Sequence, residues 1–115
     1  MVIVGRKENK LCVVGDCFND LLSSELELNQ SLHQTVVGMY RNTLIYYRHI
    51  PNLVQLGVWD TVDPRVMTIA YACKVDLDNN FFLSKHACID AEYLLKSDLQ
   101  KSQIVSKALF ELGYT

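Results

Sequence analysis

What the chain lacks narrows its class first. It has two prolines, Pro51 and Pro64, and five glycines among 115 residues, so a Pro/Gly-rich linker or a collagen-like tract is excluded. No apolar run approaches the ~20 residues that a helix needs to cross a bilayer. A cationic excess is missing too: 11 basic and 13 acidic residues leave a formal net charge of −2. Nothing therefore draws the chain as a whole onto nucleic acid or an anionic membrane, and neither is expected as a partner. The four cysteines, Cys12, Cys17, Cys73 and Cys88, form no C-x-x-C pair, the spacing of zinc and redox motifs. The sequences G-x-x-x-x-G-K-[ST], G-x-G-x-x-G and H-E-x-x-H are absent as well. No catalytic motif and no resident cofactor is expected.

What is present is apolar. Hydrophobic residues make up 50% of the chain, more than a domain of this size readily hides, so part of them is expected in an interface. The length suits one domain over residues 1–115. In "MVIVGRKENK" the apolar part precedes the charges, the reverse of an export signal, so a cytoplasmic protein with reduced thiols is expected.

Periodicity outlines the elements. "VIVG" and "LCVVG" read as strands joined by the charged turn "RKENK". "CFNDLLSSELELNQSLHQT" reads as an internal helix that starts after Asp16 and breaks near Ser23–Ser24, because continuing it would turn Glu25 into the apolar arc. "TVVGMYRNTLIYYRHI" is rich in β-branched and aromatic residues and reads as strands folded near Arg41–Asn42. "PNLVQLGVWDTVDP" reads as a connection, with Asp63 and Pro64 turning its end. "VMTIAYACKVDL" alternates cleanly, with Met67, Ile69, Tyr71, Cys73, Val75 and Leu77 on one face; "DNN" then turns it into a return strand, "FFLSKHA". Two helices, or one bent one, close the chain, with Asp90 as an N-cap, Ser97 and Gln100 as a capping box and Gly113 as the stop. The fold class is α+β: an antiparallel sheet of about five or six strands built from hairpins, with the helices on one face. The order of elements resembles small longin- and roadblock-type domains, a layout that hosts unrelated functions.

Several residue groups are candidates for chemistry. In the expected hairpin, Cys73, His86 and Cys88 share a face and could supply zinc ligands, although buried thiols as small hydrophobes explain them as well. Cys17 stands where a strand is expected to turn into a helix, a place that favours a thiolate, with His86 among the bases that could serve it. The run "YRNTLIYYRH" interleaves rings and cations; Tyr46 and Arg48, with His86, could bind a small ligand or nucleotide. The last helix is apolar on two sides. Leu99 and Phe110 lie opposite the stripe of Ile104, Val105, Ala108, Leu109 and Leu112 and are expected at an interface. The leading reading is a non-enzymatic interaction or regulatory module, homodimeric or bound to a protein partner. The alternative is a small-ligand or nucleotide binder using the aromatic and basic sheet face, and a second alternative is a thiol enzyme at Cys17.

Overall fold

The computed structural model describes residues 1–26, 29–43, 51–61, 63, 65–77 and 87–114. Within these residues five strands form one sheet: β1 (Val2–Lys7), β2 (Lys10–Gly15), β3 (Val54–Asp60), β4 (Met67–Lys74) and β5 (Ala87–Asp90). Three helices accompany it: α1 (Leu32–Thr43), α2 (Ala91–Leu95) and α3 (Leu99–Glu111). The sheet order is β3-β4-β1-β2-β5, antiparallel except where β1 runs parallel to β4. The α+β class and the five-stranded sheet agree with the expectation.

The β1–β2 hairpin forms where "RKENK" predicts it. Glu8 and Asn9 both have positive φ, 52° and 67°, as a two-residue turn matching the strand twist requires. Alternation along β1 then divides the core. Val2 and Val4 join Val13, Leu56, Ala70, Ala72 and Ile89 on one face, beneath Ala91 and Leu94 of α2 and Ile104, Val105, Ala108 and Leu109 of α3. Ile3 joins Cys12, Val14, Cys73, Val75 and Leu77 on the other face, where Tyr40 of α1 is buried among them. Helices thus take both sides of the sheet rather than the one face expected, because the valines and alanines of its central strands are apolar on both.

Three expected elements differ. Residues 32–43 are a helix rather than strands, since Val36, Tyr40 and Thr43 recur at helical spacing and are the residues it buries. Its start is a capping box, with Gln34 N–H donating to Ser31 Oγ and Ser31 N–H donating to Gln34 Oε1. The internal helix expected after Asp16 is absent. Asp16 Oδ1 instead accepts from the N–H groups of Phe18 and Asp20 in a tight loop, Gly15 pairs with Leu21, and Glu25 is exposed. The stretch read as a connection contains β3, whose register shifts between Gln55 and Gly57; that bulge breaks the alternation by which a strand is recognised.

β4 is flanked by β3 and β1, while β5 pairs with β2. Residues 78–86, including the expected turn and return strand, lie outside the described residues.

Candidate functional site

The last helix determines what stands at one end of the sheet. Asp98 caps it by accepting from Lys101 N–H, and this bond holds the Asp98 carboxyl below the usual carboxylate range. The cap is therefore one residue beyond the Ser97 box read from the sequence; Ser97 Oγ donates back to the Leu94 carbonyl, and Gln100 Nε2 donates to the Asp60 carbonyl. At the far end Gly113 takes φ +84°, its N–H donates to Phe110 O and Tyr114 N–H donates to Leu109 O at 2.8 Å. These two bonds are a Schellman motif, and glycine supplies the left-handed residue at its centre.

The motif turns Tyr114 onto the sheet. The Tyr114 ring packs against the α2/α3-side core, with the Arg6 guanidinium carbon 5.6 Å and Lys74 Nζ 5.0 Å from its centroid. Arg6 lies two residues beyond Val4, and Lys74 is Val4's register partner on β4, so both reach from the same face. Both are exposed, and Tyr114 is half-buried. Burial pushes the Tyr114 phenol up, and the Arg6 charge opposes it. Among the described residues ion pairs join Arg65 to Asp63 and Lys101 to Asp20 and Asp98, and Arg6 and Lys74 take part in none of these. Sequence reasoning missed this trio. "VIVGRK" and "ACK" place each cation on a strand face, but only the parallel β1–β4 register brings them to one ring.

The thiols do not converge. Cys73, Ile3, Val14 and Cys88 are successive register partners across β4, β1, β2 and β5. Three strand spacings of about 4.8 Å put Cys73 and Cys88 roughly 14 Å apart, beyond the reach of a single zinc ion. Burial pushes the Cys73 thiol up to about 12 and raises Cys12 and Cys88 as well, which opposes thiolate ligation. No group of three His, Cys, Asp or Glu that could hold a metal occurs among the described residues. Cys17 is exposed on the Asp16–Asp20 loop rather than at a helix start, so the dipole invoked to activate it is missing.

Asp90 caps α2, accepting from Glu92 N–H, and Asp63 accepts from the Arg65 backbone and guanidinium in a turn. Leu99 and Phe110 are 74% and 67% exposed on the side of α3 away from the sheet. Phe110 borders a hollow of about 560 Å³ whose lining residues, Ser102, Gln103, Ser106, Lys107, Phe110 and Glu111, all belong to α3, so it is open on the side facing that helix. Tyr46, Arg48 and His86 lie outside the described residues. No helix among the described residues is long and apolar enough to cross a membrane.

Comparison with known proteins defines the class of fold: it is Nudix-like. A solved neighbour is the NUDIX domain of NrtR from Shewanella oneidensis, determined in complex with ADP-ribose. It is similar over 96% of this chain and 83% of its own, with a TM-score of 0.65 and 15% sequence identity. No protein-family model matches the chain, and no curated protein matches it. The layout likeness to longin and roadblock domains gives way to this fold. The leading reading of a homodimeric, non-enzymatic interaction module is corrected with it: the neighbour that shares the fold is a domain solved with a small molecule.

Proposed function

We propose that this chain binds a small phosphorylated ligand of the nucleotide class. The observation that carries the proposal is the likeness, over 96% of the chain, to a domain solved with ADP-ribose. The chemistry at hand suits such a ligand, since exposed cations pair with phosphates and aromatic rings stack on bases. Tyr46, Arg48 and His86 are proposed as ligand contacts on the same grounds. A cytoplasmic setting fits four free cysteines, three of them at least half-buried and unpaired.

Isothermal titration of the purified chain with ADP-ribose, ADP and adenosine tests this. A dissociation constant below about 1 mM for at least one of the phosphorylated ligands is expected, with adenosine weaker. At a hundred times that constant the same ligand adds about 2.7 kcal/mol to the unfolding free energy. Tyr46→Ala, Arg48→Gln and His86→Gln are titrated alongside, and weakening is expected in each. Absence of heat and of thermal stabilisation across the whole series would refute nucleotide binding.

A further inference from the structure

We propose that Arg6 and Lys74, gathered around the Tyr114 ring, form the seat for the diphosphate of that ligand. The inference rests on the nucleotide reading and assigns it a place. Three observations carry it. The first is convergence: cations on two different strands reach the same ring, at 5.6 and 5.0 Å from its centroid. Two like charges gathered this way repel each other, and an anion between them relieves that repulsion.

The second observation is compensation. Among the described residues each cation meets the ring quadrupole, worth little at an exposed site, and neither takes part in the ion pairs formed by Lys101 and Arg65. Asp63 and Asp98, by contrast, are already held by Arg65 and Lys101. Arg6 offers a planar fork and Lys74 a compact charge, the combination that suits the several oxygens of a diphosphate.

The third is position. Arg6 and Lys74 stand at the carboxyl ends of β1 and β4, the one parallel pair among the described residues. Ligands of open sheets with parallel strands collect outside such ends. Tyr114 roofs this end because the Schellman turn at Gly113 delivers it there.

The seat is tested with inorganic pyrophosphate as probe, beside ADP, ADP-ribose and adenosine, on the full chain and on Arg6→Gln, Lys74→Gln and the double variant. Arg6 and Lys74 are exposed, so the variants are expected to keep the parent's circular dichroism and Tm. Lys74→Arg, which keeps the charge, checks that any loss comes from charge and not from packing. The expected result is pyrophosphate binding by the parent that weakens with added salt. Each single variant lowers affinity for pyrophosphate, ADP and ADP-ribose about tenfold, and Lys74→Arg retains most of it. Nucleotide binding with unchanged affinity in the double variant overturns the seat and leaves the nucleotide reading standing. Pyrophosphate binding that both variants lose, without any nucleotide binding, supports the seat and removes the nucleotide reading. No binding of either kind by the parent overturns both.

Discussion

Chemical reactivity in this chain is decided residue by residue, by burial. Cys73 is fully enclosed between β4 and the Tyr40 side of the core, and burial there lifts its thiol to about 12, so at neutral pH it is almost entirely protonated. Cys12 and Cys88 are raised for the same reason, whereas Cys17 is exposed on its loop. Iodoacetamide at pH 7.5 followed by peptide mapping should label Cys17 first and leave Cys73 unmodified until denaturant is added. Early labelling of Cys73 would mean that the enclosed face opens under native conditions. Hydrophobicity read from the sequence ranks these four thiols alike. Their difference comes from the register Cys73–Ile3–Val14–Cys88, which no local pattern contains.

Individual elements were legible where one periodicity acted alone. β1 and β2 stand where their short apolar runs put them, and β4 stands where alternation puts it. α1 was obscured because Thr35, Val36 and Val37 favour strands, while the S-x-x-Q start at Ser31 and the Val36–Tyr40–Thr43 stripe argue for a helix, and burial of that stripe prevailed. β3 was obscured by its own bulge at Gly57. The end of α3 was read correctly from Gly113, though not what that turn delivers. Replacing Gly113 by Ala puts a Cβ on a residue at φ +84°, where nothing lies within 4 Å of it, so the cost is purely conformational. It should destabilise the chain by about 1 kcal/mol in a denaturant titration. It should also weaken pyrophosphate binding, because Tyr114 is displaced. A stability loss with pyrophosphate affinity unchanged would separate the turn from the ligand.

At the scale of the whole molecule, the described residues form two apolar layers on one shared sheet, so the two layers should unfold together. Leu94 is 1% exposed under α2, in contact with the layer that also holds Trp59. Leu94→Ala should cost about 2–5 kcal/mol, a large part of a domain's usual stability. The loss should appear at the same denaturant midpoint in Trp59 fluorescence and in far-ultraviolet circular dichroism. Separate midpoints would show that the Tyr40 side unfolds independently. At this scale the α+β class was legible, because it follows from hairpin signals and terminal helices. Strand order was not, because it depends on pairings between distant segments. The proposed ligand seat inherits that opacity, since Arg6 and Lys74 meet only through such a pairing.

The order β3-β4-β1-β2-β5 also bears on how the chain is made. Of the five strands, the β1–β2 hairpin is made before the others and ends up in the middle, and both its flanks are synthesised later, from Met67 and from Ala87 onward. At about 5–20 residues per second, β1 and β2 wait several seconds with both edges bare. Newborn chains stalled before β4 should therefore be the species that chaperones capture, and a permuted gene that begins at β3 should shorten that wait.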